Sequence, residues 1–107
     1  MAQKEKIYHI VESDVWRNKI KDGFYYPDSL KSEGYVHCCM ANQIRNVLSQ
    51  WFPDQNKLEL LVVKPEQLES PLIFENTEGG EELFPHIYGP INLNAVVEIQ
   101  SYIKEKK

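Results

Sequence analysis

The stretch Phe84-Pro85-His86-Ile87-Tyr88-Gly89-Pro90 contains the residues that restrict the backbone of this chain most strongly. Proline fixes φ and lacks a backbone donor, so Pro85 and Pro90 exclude the interior of a helix. A glycine followed by a proline, as in Gly89 and Pro90, marks a chain reversal. The stretch is therefore predicted to be a short strand that is restrained at both ends.

Within this strand, Phe84, His86 and Tyr88 alternate with other residues, and this spacing places three side chains on one face. A short restrained strand holds an imidazole and a phenol in fixed directions, which is what a binding or catalytic site requires. The alternative interpretation is that the two aromatic residues belong to the core and that His86 is a hydrogen-bonded structural histidine.

The composition indicates one globular domain. The chain has 107 residues, of which 42% are apolar and 26% charged, and this length and balance fit a single folded unit rather than a disordered chain. We predict one domain over residues 1–107, with a core at about 7–101. No apolar run is long enough to cross a membrane, and the first residues lack a signal-peptide pattern, so we expect the protein in the cytoplasm.

The charge pattern argues against nucleic acid as a partner. The net charge is −4, and Arg17 and Arg45 are the only arginines. Nucleic-acid-binding domains usually carry a basic stripe in which arginine contacts phosphate, and no such stripe is present.

The two cysteines, Cys38 and Cys39, are adjacent. Disulfide geometry disfavours a bond between neighbours, and the pair has none of the spacings of a zinc site. We predict that both thiols are reduced and that at least one is buried.

The remaining pattern predicts two helices followed mainly by strands. A first strand over 6–11 is bulky on both faces and is expected to be central, and Ser13 is expected to begin a helix that ends near Gly23. Further strands are predicted over 35–38, 58–63, 72–75 and 95–102, and a polar loop over 76–82 is expected to be flexible and to lie at the rim of a site. The expected fold is α+β, with a bent or split, mainly antiparallel sheet and two helices.

The second predicted helix, over 41–52, has the clearest periodicity in the chain. Ile44, Val47, Leu48 and Trp51 follow the spacing of a single buried stripe. We therefore expect these four side chains to be core residues, and Trp51→Ala to destabilise the fold by roughly 3–5 kcal/mol.

The three histidines, His9, His37 and His86, each fall inside a predicted strand close to a tyrosine. One hypothesis is a shared cleft for catalysis or ligand binding, since histidine exchanges protons near neutral pH. A second is a zinc site with three histidines, which the spacing does not favour, so no metal is predicted. The third is three unrelated structural histidines.

These residues also carry a family resemblance. Ile7-Tyr8-His9-Ile10, Gly34-Tyr35-Val36-His37-Cys38 and the stretch at 84–90 resemble the signature blocks of the DUF952 family, small domains without an assigned function. The resemblance covers about Ile7 to Ser101, and the last block is the most specific.

The resemblance implies an ADP-ribosyltransferase-like fold, in which a split, bent sheet surrounds an NAD cleft. It implies that His9 takes the place of a histidine that holds a ribose, and that His37 lies near the second motif. For the third catalytic position, Glu81, Glu82 and His86 remain open. The implied catalytic candidates are thus His9, His37 and His86, and the implied ligand-binding candidates are Tyr8, Tyr35, Cys39, Glu82 and Tyr88.

The chain departs from the family pattern after His37-Cys38, where Cys39 and Met40 replace hydroxyl residues that would cap the next helix or contact a ligand. NAD is the cofactor that the resemblance implies, and the absence of a Rossmann-type glycine fingerprint does not count against it, because that fold does not use one. Two functions stay open: an NAD- or nucleotide-related enzyme or binder, with ADP-ribosyltransferase-like transfer as the enzyme class, and a non-catalytic interaction module. The oligomeric state is not indicated.

Overall fold

The structure, a computed structural model, describes residues 5–55 and 57–103. In these two ranges, nine strands form three antiparallel sheets with the orders β1-β5-β9, β2-β3-β8 and β4-β7-β6, accompanied by two α-helices. The elements in chain order are β1 (Ile7–Glu12), β2 (Ile20–Lys21), β3 (Phe24–Tyr25), α1 (Asp28–Ser32), β4 (Val36–His37), α2 (Ile44–Trp51), β5 (Lys57–Val63), β6 (Leu72–Glu75), β7 (Phe84–Ile87), β8 (Ile91–Asn92) and β9 (Val96–Ile103). The predicted single-domain α+β class is confirmed, with three small sheets where one divided sheet was expected.

The long strand β5 organises the first sheet. The strand predicted over 58–63 is confirmed, and its residues from Leu58 to Val63 are all buried, so it is covered on both faces. It pairs with β1 on one side and β9 on the other. The prediction that β1 is central is therefore wrong: β1 lies at the edge of its sheet.

The free edge of β1 touches the third sheet at one point. Tyr8 and Cys39 exchange both backbone hydrogen bonds at 2.8 Å. Continued antiparallel pairing would next place Ile10 opposite His37. Instead, the carbonyl of His37 accepts a hydrogen bond from the ring of His9. The imidazole thus takes the place of a backbone donor where the two sheets part.

The predicted helix between Ser13 and Gly23 is wrong. Only Trp16–Lys19 forms a short 3-10 helix, and Ile20 already belongs to β2. The reason is the two-residue turn Asp22-Gly23, in which both residues have positive φ, at 54° and 83°. This geometry and sequence are those of a type I′ hairpin, and the turn joins β2 to β3. The second helix of the fold is instead the short α1.

The apolar stripe of α2 lies closer to solvent than predicted. Ile44, Val47 and Leu48 are only half-buried, and they cover a small core cluster formed by Ile10, Cys39, Leu58 and Leu60. Trp51 is 62% exposed, so the prediction that it is a core residue is wrong. The helix has eight residues, and its last residue lies outside the small core cluster that its other apolar residues cover.

The stretch at 84–90 begins with the strand β7, as predicted, and β7 is the middle strand of the third sheet. Pro85 lacks an N–H group, but its carbonyl accepts the N–H of Cys38 at 3.1 Å. β6, which the sequence predicted as a strand over 72–75, lies at the edge of this sheet. At the end of the stretch, Gly89 has a φ of 152°, and a Cβ at this position would overlap Ser70.

Within the described parts of the chain, no helix is long and apolar enough to cross a membrane. Cys38 and Cys39 are both free and buried, as predicted.

Candidate functional site

A cavity of about 370 Å³ opens where the first and third sheets part. This volume falls in the range of small-molecule sites. Its walls come from β1, α1, the end of β4, the last turns of α2, the beginning of the 76–82 loop and β7. The lining residues are Tyr8, His9, Ile10, Ser29, Glu33, His37, Cys38, Cys39, Val47, Trp51, Phe52, Asn76, Thr77, Glu78, Phe84 and His86.

All three histidines line this cavity, but their ring nitrogens are engaged differently. In His9, Nδ1 lies 2.8 Å from the carbonyl oxygen of His37, and Nε2 lies 2.9 Å from the hydroxyl of Tyr25. A carbonyl only accepts, so Nδ1 carries the proton and Nε2 accepts from Tyr25. Burial lowers the pKa of His9 to about 4, so the ring stays neutral near pH 7. With both nitrogens occupied, His9 connects the first sheet to the second through Tyr25 and to the third through His37.

His86 is held by a carboxylate. Its Nδ1 lies 2.9 Å from Oε2 of Glu75, and the same oxygen accepts the hydroxyl of Tyr88. The hydrogen bonds from Tyr88 and from His86 lower the pKa of Glu75. The bond to Glu75 in turn raises the pKa of Tyr88 to about 12. Because an ionised carboxylate only accepts, this arrangement fixes the Nδ1–H tautomer of His86.

The other nitrogen of His86 remains available. No fully buried side-chain nitrogen or oxygen in the described part of the chain lacks a hydrogen-bond partner. His86 is only 4% exposed, and its Nε2 makes no hydrogen bond to the described residues. Nε2 is therefore open to the cavity that His86 lines. A carboxylate-oriented imidazole with one free nitrogen facing a cavity is an arrangement suited to general acid–base chemistry.

A cluster of rings fixes the orientation of His86. We call Tyr35, His37, His86 and Tyr88 the ring cluster; His37 pairs with His86 across β4 and β7. Tyr35 stacks on His86 with ring centroids 4.2 Å apart and an interplanar angle of 19°. It also contacts His37 at 4.9 Å and Tyr88 at 5.3 Å. These contacts leave the imidazole of His86 little rotational freedom.

His37 is more exposed than the other two histidines. Its Nε2 lies 2.9 Å from Oε1 of Glu33, one turn earlier in the chain. Glu33 itself follows α1 and lines the cavity. Two histidines therefore stand at the cavity with a carboxylate behind each ring.

Three predicted ligand-binding residues do not line the cavity. Tyr35 and Tyr88 stand behind His86, where they position the ring and its carboxylate. Glu82 accepts a hydrogen bond from the side chain of Gln43 at 3.0 Å. Tyr8 and Cys39, by contrast, do line the cavity.

Gln43 was not anticipated from the sequence. Its Oε1 accepts the N–H of Met40 at 2.8 Å, and its Nε2 donates to the carbonyl of Leu83 at 2.9 Å. The first bond satisfies a backbone donor at the start of the helix, although neither Cys39 nor Met40 supplies a hydroxyl. The second bond, with the one to Glu82, ties the end of the 76–82 loop to the helix.

The 76–82 loop is organised by a single amide. Oδ1 of Asn76 accepts the N–H groups of Glu78 and Gly80 at 2.7 and 3.1 Å, and its Nδ2 donates to the carbonyl of Glu82 at 2.6 Å. The hydroxyl of Thr77 lies 3.0 Å from that of Tyr35. The loop that was expected to be flexible is thus bonded internally and to the ring cluster.

Sequence reasoning also missed Glu75 and Trp51 as site residues. Glu75 was assigned only to a strand, yet its position opposite Phe84 in β6 and β7 brings it beside His86. The sequence did contain an indication of this role: Ile73 and Glu75 are two residues apart, so the carboxylate lies on the same face of an edge strand as Ile73. Trp51 was treated as core because its helical spacing matched the apolar stripe.

The cavity thiols are poorly suited to act as nucleophiles. Burial raises the pKa of Cys39 to about 12, and it raises the pKa of Cys38 as well. Reactive cysteines require the thiolate form near neutral pH. Among the described residues, no group of three or more His, Cys, Asp and Glu side chains is arranged to hold a metal ion.

Comparison with known proteins finds similar solved structures but no similar curated protein. No curated protein matches the chain. The crystal structure of protein CC0527 from Caulobacter crescentus is 28% identical, with 90% of this chain and 84% of that chain covered and a TM-score of 0.77. A double mutant of CC0527 gives 27% identity, the same coverage and a TM-score of 0.76. The solution NMR structure of CC0527 gives 28% identity, 89% and 82% coverage and a TM-score of 0.73.

A family model described as "Protein of unknown function (DUF952)" matches residues 10–99. This match includes His37, His86 and most of the cavity lining. The chain therefore belongs to the DUF952 family.

Proposed function

We propose that the protein binds a small, flat organic molecule in the cavity between its first and third sheets, and that His86 exchanges a proton or a hydrogen bond with this ligand. The observation that carries the proposal is the free Nε2 of His86. A polar atom on an almost completely buried side chain, open to a cavity, is an unused hydrogen-bonding group at a concave site.

The surroundings of His86 support an acid–base role. Glu75 orients the ring through Nδ1, and Tyr35 restricts its rotation by stacking. General acid–base catalysis needs a base whose position and tautomer are set before the substrate arrives. His9 does not share this role, because Tyr25 and the His37 carbonyl occupy both of its nitrogens.

A narrower form of the proposal is that the chain has an ADP-ribosyltransferase-like fold and that the ligand is NAD or another nucleotide. The divided sheet with a histidine on each side of the cleft supports it. Phosphate groups are usually held by arginine, lysine or a helix N-terminus. No lysine or arginine is among the described residues that line the cavity. We therefore propose that a nucleotide would enter by its flat ring, with its phosphates outside, and that nucleic acid is not a partner.

Thermal unfolding with a library of small flat molecules tests the proposal. A ligand at 100 times its dissociation constant stabilises the folded state by about 2.7 kcal/mol, which gives a measurable shift. His86→Gln removes the imidazole and should abolish the shift. Gln100→Ala, on an exposed position of β9, is the matched control and should retain it. A shift that survives His86→Gln, or a library without any stabilising molecule, would contradict the proposal.

A second candidate function, that of an interaction module, is supported by one observation. Val97, Ile99 and Ile103 alternate along the edge strand β9 and are 44%, 43% and 68% exposed. An apolar row on a sheet edge is a surface on which another chain can pair. Sedimentation of the wild type and of Ile99→Lys tests this function. If the wild type associates and the lysine variant does not, the interaction module is supported. If both proteins are monomers, the result counts against it. The two free buried thiols support a cytoplasmic location for either function.

A further inference from the structure

We infer that the cavity selects flat organic cations, such as amidinium groups or protonated heterocycles, over neutral and anionic molecules of the same shape. This inference rests on the proposed function, because it names the ligand class for the same site. It depends on the charges, the aromatic walls and the hydrogen-bonding capacity of the lining.

Apart from the histidines, of which His37 contacts Glu33, the charged groups at the cavity are negative. Glu33 and Glu78 line it, and Glu75 lies directly behind His86. No described lining residue is a lysine or an arginine. The side chain of Glu78 makes no hydrogen bond to the described residues, so its carboxylate is free to face a ligand. Burial keeps His9 neutral, so this histidine adds no positive charge.

Aromatic residues form much of the remaining wall. Tyr8, Phe52 and Phe84 line the cavity, and Trp51 stands at its rim with most of its ring in contact with solvent. The face of an indole attracts a cation more strongly than that of any other side chain. A large aromatic residue exposed at the end of an amphipathic helix has no role in the core, and a flat cationic ligand would cover it.

The tautomer of His86 favours a ligand with hydrogen-bond donors. Because Nδ1 of His86 carries the proton and donates it in a hydrogen bond to Glu75, Nε2 presents a lone pair to the cavity. A ligand that contacts this nitrogen must bring an N–H or O–H donor. An amidinium ion carries such donors together with a positive charge, whereas a carboxylate carries neither. The lone pair, the carboxylates and the indole therefore favour the same chemical class.

Three isosteric probes separate charge from shape: benzamidine is cationic, benzamide is neutral and benzoate is anionic. Their affinities are measured by calorimetry and by His86 chemical shifts at pH 8. We expect benzamidine to bind about tenfold or more tightly than benzamide, and benzoate to bind weakest. The preference should decrease as salt is added, because the carboxylates are partly exposed.

Charge-neutral variants give the matched comparison. Glu78→Gln should reduce the affinity for benzamidine several-fold and leave that for benzamide unchanged. Glu66→Gln removes an equal charge from an exposed residue outside the cavity and should change neither affinity.

The outcomes distinguish this inference from the proposal on which it rests. If benzoate or benzamide binds at His86 as tightly as benzamidine, the cavity binds ligands but does not select cations, and the inference is wrong. If none of the three probes shifts His86, and no other small molecule does so, the inference and the proposed function both fail.

Discussion

Lowering the pH should destabilise this fold because His9 is buried as a neutral ring, and the expected loss in the free energy of unfolding follows from the surroundings of this residue. Burial lowers the pKa of His9 to about 4. In the unfolded chain the ring has an ordinary pKa of about 6.5. Between these two values the unfolded state binds a proton that the folded state does not. Stability therefore falls as the pH decreases from about 6.5 to about 4.

The difference between the pKa of His9 in the folded and in the unfolded chain sets the size of this loss in stability. A difference of about 2.5 pH units corresponds to about 3 kcal/mol in total, of which about 2 kcal/mol is lost between pH 7.5 and pH 5. A single domain is stabilised by only about 5–15 kcal/mol, so the loss is easily measured. Most carboxylates titrate below this window, and His9 should therefore dominate the difference.

Urea unfolding of the wild type and of His9→Asn at pH 7.5, 6.5, 5.5 and 5 provides the assay. Asparagine retains a donor for the His37 carbonyl but does not titrate in this range. The variant should be the less stable protein at pH 7.5, and the gap should narrow by about 2 kcal/mol at pH 5. A gap that stays constant, or an NMR titration in which His9 protonates near pH 6.5, would refute the reasoning.

Three further predictions concern other parts of the site. Trp16→Ala should destabilise the fold by about 3–5 kcal/mol in a urea titration, because Trp16 is buried, whereas Trp51→Ala should cost under about 1 kcal/mol. Equal losses for the two variants would show that Trp51 does not lie at the exposed rim of the cavity. Glu75→Gln should lower the pKa of Tyr88 from about 12 towards that of free tyrosine in an ultraviolet titration, and an unchanged value would mean that Glu75 does not hold the phenol. Gly89→Ala should destabilise by about 1–3 kcal/mol, because φ is 152° and a Cβ would meet a neighbouring side chain; a neutral effect in thermal unfolding would contradict that geometry.

The sequence predicted those features that depend on local pattern. The buried run of β5, the restrained strand β7 and the position of α2 follow from apolar periodicity and from proline. The helix expected between Ser13 and Gly23 does not form, because the turn residues Asp22 and Gly23 begin a hairpin there. That dipeptide is a strong hairpin signal, and it was available in the sequence.

The site was predicted less completely, because its geometry depends on contacts between distant strands. The gathering of three histidines at one cavity was expected from their strand context. The different roles of His9 and His86 were not expected, since they depend on hydrogen bonds to Tyr25 and Glu75, which lie on other strands. Periodicity identified Trp51 as part of an apolar stripe, but it does not reveal how far a helix extends beyond the sheet that it covers.

The free nitrogen of His86 is the feature on which the proposed function depends, and long-range ¹H–¹⁵N spectra of the imidazoles measure it directly. At pH 8, Nδ1 of His86 should carry a proton and donate a hydrogen bond to Glu75, and Nε2 should be unprotonated. Benzamidine should shift the Nε2 resonance of His86 strongly and leave both nitrogens of His9 nearly unchanged, because Tyr25 and the His37 carbonyl occupy them. A proton on Nε2, or an Nε2 resonance that responds to no flat ligand, would contradict the account.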